Sequence, residues 1–363
     1  MVKENNGKSW SGRQRRRLVF GLVLVTFFLA IIRTLSRVRL RSHVKSMVRK
    51  FPRNPYTNLL DLHNPIEHAI LEAKYFLIDI EISDGALDLS DDVNNTQYGK
   101  VTGIFCPLDW SLQKTNPSIV PMFRALVSES KHCGPNKVTM DIRHIIKKSR
   151  LYDKAMTEAM VQHREIPITR VLSMGGVVFH ESRCGSTLVA NLLVAANPSA
   201  HRVYSESTPP LSVIREQAGS REKQKELLRD VVYLMSRTQS PHETKVLFKI
   251  QSIGTHALSF WTETFPTVPW IFVYRDPVEI LTSQLRNGGD EAKRAPCLRY
   301  KDHPPSQVQN LVKDRGLDIN TLSTVQFCAA MLATLCHAAL DEYHQHRSNG
   351  RLVNYASLPD IMW

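Results

Sequence analysis

Gly175-Gly176-Val177-Val178-Phe179-His180-Glu181-Ser182-Arg183-Cys184-Gly185-Ser186-Thr187-Leu188-Val189-Ala190-Asn191-Leu192-Leu193 decides the fold. An apolar run, a short polar turn with one glycine, and a helical pattern read as strand, loop and helix. Such a loop turns several backbone N–H groups and the positive end of a helix toward one point, which makes an anion site. Loops of this kind that hold nucleoside triphosphates carry Gly-Lys-Ser/Thr. Here no lysine stands in the loop, and Arg183 precedes Cys184-Gly185-Ser186-Thr187 instead.

A second stretch repeats the arrangement. Trp270-Ile271-Phe272-Val273-Tyr274 is an apolar, β-prone run that reads as a buried strand. In the following Arg275-Asp276-Pro277-Val278-Glu279, Asp276 suits the N-cap, Pro277 the first helical position and Glu279 a capping box. The helix therefore starts at Pro277, Arg275 sits at the strand end, and Ser283 lies about two turns along. On structural grounds alone this is a capped surface helix beside a solvated arginine.

The two motifs together resemble those of sulfotransferases that use 3′-phosphoadenosine 5′-phosphosulfate (PAPS). Their phosphosulfate loop runs basic, small, glycine, hydroxyl, hydroxyl, and Arg183-Cys184-Gly185-Ser186-Thr187 fits every position. They hold the 3′-phosphate with a strand-end arginine and a serine eight residues later, the spacing of Arg275 and Ser283. The resemblance covers about residues 172 to 358 and is nearest to a superfamily branch found in bacteria and algae. It implies that Arg183 and the backbone of Cys184, Gly185, Ser186, Thr187 and Leu188 grip the phosphosulfate of PAPS. It assigns the 3′-phosphate to Arg275 and Ser283, and charge on the leaving side to Arg183, with no metal required.

The base is expected at Glu206, in Tyr204-Ser205-Glu206-Ser207-Thr208, where the resembling enzymes place a Ser-Glu-Pro-like turn after a strand. A general base is worth about 10²–10⁴-fold. The alternative is that Glu206 caps the next helix. Cytosolic sulfotransferases carry a histidine two residues after a strand-end lysine. Lys249-Ile250-Gln251 puts Gln251 there, which favours Glu206. Lys249 either contacts the sulfuryl group, and so joins Arg183 and Glu206 in catalysis, or is solvated. His180 and His256 are further candidate bases, although a lone histidine is more often structural.

Leu352-Val353-Asn354-Tyr355-Ala356-Ser357-Leu358-Pro359 resembles the late Tyr-Glu-Asp-Leu turn of the superfamily, with Ala356 in place of the acid. No Arg-Lys-Gly closing motif follows before Trp363. A truncated chain, a pseudoenzyme and a differently closed site all fit that departure.

Strand patterns at 168–179, 201–204, 245–250 and 270–274 alternate with helical ones at 187–196, 211–215 and 221–237. This order implies an α/β fold, a P-loop-type parallel sheet covered by helices on both faces. Ligands of such sheets bind at the carboxyl ends of the strands, where the loop, Glu206, Lys249 and Arg275 all fall. Ahead of it, 75–82 reads as a strand, 84–98 as a loop, and the regions around 120–127 and 141–163 as helices. The segments are a basic tail (1–17), an anchor (18–32), a stem (33–70), a lead-in or cap with no recognisable site (71–168) and the P-loop domain (169–363).

The net charge of +13 over 363 residues is concentrated at one end: residues 1–50 hold 13 lysines and arginines against the single acid Glu4. The remainder is nearly neutral, so the basicity gives no case for nucleic acid as a partner. It flanks Leu18–Ile32, whose sole polar residue is Thr26. As a helix this run spans about 22 Å against a hydrocarbon core of ~30 Å, a gap that snorkelling arginines close. A signal anchor is expected, with a cleaved signal peptide as its rival. By resemblance, a single-pass type II protein of the Golgi membrane with a lumenal catalytic domain is implied.

Cys106 and Cys133 are candidates to pair, while Cys328 and Cys336, eight apart in a helical pattern, read as two buried thiols. No Cys/His set has zinc spacing, and Asn94-Asn95-Thr96 is a glycosylation sequon. The function expected is sulfuryl transfer from PAPS to a carbohydrate, peptidyl or small-molecule acceptor. A non-catalytic scaffold binding PAPS or its product is the second expectation. A P-loop kinase or NTPase is the third, disfavoured by the missing lysine.

Overall fold

The computed structural model describes residues 64–88, 97–163, 169–216, 219–286, 295–345 and 348–362. The tail, the apolar segment 18–32, most of the stem and the sequon at Asn94 lie outside them. Asn64 caps helix α1 (Pro65–Leu71) by accepting from the N–H groups of Ile66 and Glu67. Residues 64–70, read as stem, are therefore part of the described fold. Strands β1 (Phe76–Ile82), β2 (Val101–Cys106) and β3 (Val138–Asp141) form an antiparallel sheet in that order. Helices α2 (Ser111–Thr115) and α3 (Phe123–Glu129) lie between β2 and β3, inside a loop closed by the disulfide Cys106–Cys133. Helix α4 (Ile142–His163) follows β3.

The strand expected over 168–179 divides at Leu172 into β4 (Arg170–Val171) and β5 (Ser173–His180), with a register shift between Met174 and Gly176. Next come α5 (Ser186–Ala196), β6 (His201–Ser205), α6 (Thr208–Arg215), α7 (Arg221–Ser236), β7 (Arg237–Thr238) and β8 (Lys245–Lys249). They are followed by α8 (Leu258–Thr264), β9 (Trp270–Tyr274), α9 (Pro277–Leu285), α10 (Ser306–Asp314), α11 (Thr324–Gln345) and β10 (Gly350–Asn354). Helix α6 starts before the expected Leu211 because Pro209 sits in its first turn after an extended Ser207. The five-stranded sheet runs β10-β9-β5-β8-β6 with every pair parallel.

Alternation along these strands gives the sheet two apolar faces. Val178, Val273 and Val353 pack against Val189 of α5, Ile280 of α9 and Leu332 of α11 on one face. Phe179 and Phe248 project the other way onto Trp261 of α8, and Tyr204 stacks on Phe248. β5 lies between β8 and β9, and the chain leaves it toward β6 on one side and returns to β9 on the other. That reversal opens a crevice at the carboxyl ends of the strands.

Buried ion pairs fasten the lead-in to this core. Arg237 donates to the carbonyls of Ile70 and Leu71 and to Asp153 of α4. Arg202 and Lys114 of α2 converge on Glu243, which is buried. Removing one partner of such a pair leaves an uncompensated charge at about 3–5 kcal/mol, so a lead-in displaced from the core would strand these charges. Helix α11 is long and apolar enough to cross a membrane, but Phe327, Cys328, Met331, Leu335 and Ala339 are buried within the domain.

The reading of Cys328 as a free thiol is overturned. It bridges Cys297, in the 3-10 turn Pro296–Tyr300, with Cα atoms 5.2 Å apart. Helical periodicity gave the spacing of Cys328 from Cys336 but not what packs against the helix. Cys336 and Cys184 stay free, and Cys106 pairs with Cys133 as expected. The bridges close separations of 27 and 31 residues, and the chain-entropy account gives each roughly 3.5 kcal/mol. Non-reducing denaturation followed by alkylation should label Cys184 and Cys336 alone, and reduction should lower the melting temperature. Labelling of Cys297 or Cys328 before reduction would contradict this pairing.

Candidate functional site

The crevice widens into a cavity of about 490 Å³ at the carboxyl ends of β5, β6, β8 and β9. Its first wall is the loop after β5: Ser182, Arg183, Gly185, Ser186 and Thr187. Gly185 is the N-cap of α5 with φ 83°, and Arg183 has φ 68°. The non-glycine residues with positive φ among the described residues are Ala73, Arg183 and Glu206, and the last two line this cavity. Left-handed backbone at such residues costs of order 1–3 kcal/mol and gathers at functional sites. The first N–H groups of a helix have no intrahelical acceptor, which places that end of the α5 dipole at the cavity wall.

Two residues of the expected loop, Cys184 and Leu188, do not line the cavity. The Leu188 N–H donates to the Gly185 carbonyl at 2.9 Å, and Leu188 does not line the cavity. The helix starts at Ser186, one residue before the expected start, so Leu188 already belongs to its first turn. Cys184 turns into the core, where its thiol donates to the Glu181 carbonyl at 2.8 Å. Burial pushes that thiol up to about 12, far from a reactive thiolate.

Arg275 and Ser283 come to the same cavity from β9 and α9. Arg183 Nε donates to Ser283 Oγ at 3.2 Å and so joins the loop to α9. Asp276 caps α9 as expected, accepting from Val278 and Glu279 at 2.9 and 3.2 Å. The reciprocal half of the capping box is replaced, because Glu279 pairs with the Arg275 guanidinium. The other face of that guanidinium lies 4.5 Å from the centre of the Tyr355 ring. Tyr355 also packs on Gly185, where a Cβ would stand 2.4 Å from the ring. Glu181, buried, accepts from the Arg275 N–H at 3.0 Å and from the Cys336 thiol at 2.6 Å. Burial raises its carboxyl. It ties the end of β5 to the end of β9, a role that the sequence reading did not assign.

Glu206 and Lys249 meet at the ends of β6 and β8. The Lys249 ammonium is fully buried and ion-paired to Glu206, and the Glu206 N–H donates to the Lys249 carbonyl at 2.7 Å. A solvated Lys249 is therefore overturned. Glu206 does not cap α6 either, since Ser207 holds that position. Burial acts to raise Glu206, but Lys249, His180 and Arg124 outweigh it and hold the carboxyl below its usual range. It is ionised at neutral pH, the state a base requires. Burial lowers Lys249, and Glu206 draws it partly back.

His180 ends β5 beside this pair. Its Nδ1 faces the Glu181 carbonyl at 2.7 Å and must carry the proton, because a carbonyl only accepts. Nε2 is buried, has no hydrogen-bond partner and lies 3.6 Å from Glu206 Oε1. Burial lowers the ring to about 4, so two acceptors face one spot at neutral pH. A hydroxyl donor suits that spot. His256 is placed elsewhere, with Nε2 on Thr334 Oγ1 at 2.9 Å and outside the cavity.

The remaining walls carry residues that the sequence reading missed. Met122 and Arg124 come from the lead-in, Arg299 and Tyr300 from the turn before α10, and Tyr355 from the segment after β10. Tyr355 stands in the late turn already compared with the superfamily, whereas no local signal marks the others. Among the described residues no group of three or more His, Cys, Asp or Glu side chains is arranged to hold a metal ion. No protein-family model matches the chain, and no curated protein matches it.

The buried pair yields a stability test. Glu206→Gln leaves Lys249 unpaired and should cost about 3–5 kcal/mol, whereas Glu206→Gln with Lys249→Met should recover most of that loss. Thermal melts check it. A single variant as stable as the parent would show that the pair is not formed.

Proposed function

We propose that the chain is a sulfotransferase that moves a sulfuryl group from PAPS to a hydroxyl or amine acceptor. One observation carries the reading. The loop after β5 and the Arg275–Ser283 pair meet in a single cavity, with Arg183 and Ser283, 100 apart in sequence, in hydrogen-bond contact. The loop and the N-terminus of α5 suit the 5′-phosphate and its sulfate. Arg275 and Ser283 suit a 3′-phosphate. The Arg275–Tyr355 contact is worth about 0.5–1 kcal/mol and a charged hydrogen bond about 1.5–3, so exchanging the ring for a phosphate is favourable.

In this reading the acceptor hydroxyl gives its one proton to Glu206, with neutral His180 beside the carboxylate. As the acceptor oxygen bonds to sulfur, the bond from sulfur to the 5′-phosphate oxygen breaks and its electron pair stays on the phosphate. Arg183 neutralises the charge that develops there. Lys249 holds Glu206 in place and ionised. The membrane anchor and lumenal Golgi location belong to the same proposal, and two disulfides in the domain fit an oxidising compartment. Tyr355 across Gly185 and Arg275, with Ala356 beside it, favours a second reading, a protein that binds the nucleotide without turnover.

The purified full-length chain should bind 3′,5′-ADP in preference to 5′-AMP and ATP, with roughly 2.7 kcal/mol of stabilisation at 100 times the dissociation constant. Arg275→Ala should abolish the preference. Absence of binding, or equal binding of 5′-AMP, would sink the reading, and binding without sulfate transfer to any acceptor would select the second one. Transfer should also show no acid limb near pH 6.5. Both groups work deprotonated, His180 titrates at about 4 and Glu206 below its usual range, so activity falls only as the pH drops through those values. A limb between pH 6 and 7 would point to another base.

A further inference from the structure

We infer that the acceptor carries an anionic group of its own, a carboxylate, sulfate or phosphate ester, and that Arg124 and Arg299 bind it. The inference rests on the sulfuryl-transfer reading, which employs Arg183, Arg275 and Lys249, gives Arg124 only a distant influence on Glu206 and leaves Arg299 without a role. Arg124, on α3, and Arg299, in the turn Pro296–Tyr300, line the same cavity as the loop and Glu206. Both are exposed; Arg124 reaches Glu206 only at 3.9 Å, and no ion pair of Arg299 is found among the described residues. Among the described residues Glu206 is the one acid lining the cavity, against four arginines. A cavity walled by one sign of charge draws in ligands of the other sign. A neutral acceptor gains nothing from that excess, whereas the guanidinium fork matches carboxylate, sulfate and phosphate oxygens.

A second observation is independent of the charge. Both arginines stand on segments fastened by a disulfide. Arg124 lies within the loop that Cys106–Cys133 closes, and Arg299 follows Cys297, which is bridged to Cys328 on α11. Restraining the segments in advance reduces the ordering cost of binding.

The test uses the full-length chain saturated with 3′,5′-ADP, so that the nucleotide groups are engaged. Binding is compared for 4-nitrophenyl glucuronide and glucoside, galactose 6-sulfate and galactose, and glucose 6-phosphate and glucose. At least one anionic sugar should bind tenfold or more tightly than its neutral parent, and the pairs distinguish carboxylate, sulfate and phosphate. Arg124→Ala with Arg299→Ala should abolish that preference and leave 3′,5′-ADP affinity within twofold. The inference is overturned if no anionic sugar outbinds its parent, or if the preference survives the double variant. Loss of 3′,5′-ADP affinity in that variant would assign the arginines to the nucleotide and also overturn it. If the parent chain fails to bind 3′,5′-ADP, the sulfuryl-transfer reading itself falls first.

Discussion

A lysine buried at the end of a central strand must have a counter-charge, and Lys249 has it in Glu206. Much of the site follows from that requirement. Glu206 turns in through a left-handed backbone, φ 57°, and its N–H closes on the Lys249 carbonyl. The pair brings the ends of β6 and β8 together, and Met122 from the lead-in covers the ammonium. His180 is then held beside a carboxylate with an unpartnered nitrogen. Desolvating two charges is costly and repaid only by good geometry, so the pair is a weak source of stability. Its merit lies in position: an ionised carboxylate is fixed at the strand ends, facing the β5–α5 loop across one cavity.

The loop obeys a different constraint. Left-handed backbone at Arg183 and Gly185 brings the chain sharply from β5 into α5, and the missing side chain at Gly185 makes room for Tyr355. Glu181 braces the turn from behind through the Arg275 N–H and the Cys336 thiol. The loop, Arg275 and the late segment thus form one mechanical unit. Displacing the Tyr355 ring alters the environment of Arg275 and Gly185 together.

What was legible in the sequence had local grammar. The parallel sheet followed from apolar runs alternating with helical periodicity, and Asp276-Pro277 fixed the start of α9 from capping chemistry alone. The convergence of Arg183, Glu206, Lys249 and Arg275 followed because strand ends of such a sheet share one edge. What was not legible depends on tertiary packing. Periodicity could not show that Cys328 meets Cys297, or that Glu279 turns from its capping box to Arg275. Nor could it separate a solvated Lys249 from a buried one. Arg124 and Arg299 carry no pattern around them, since loops and turns brought in by packing have no period to read.

The central claim is that one cavity holds both ends of a 3′-phosphorylated adenosine nucleotide, and a crystal structure with 3′,5′-ADP tests it most directly. The account expects the 5′-phosphate on the N–H groups of Gly185, Ser186 and Thr187, the 3′-phosphate between Arg275 and Ser283, and the Tyr355 ring moved off Arg275. A nucleotide seated elsewhere, or bound with its 3′-phosphate in solvent and Tyr355 still stacked on Arg275, would contradict it.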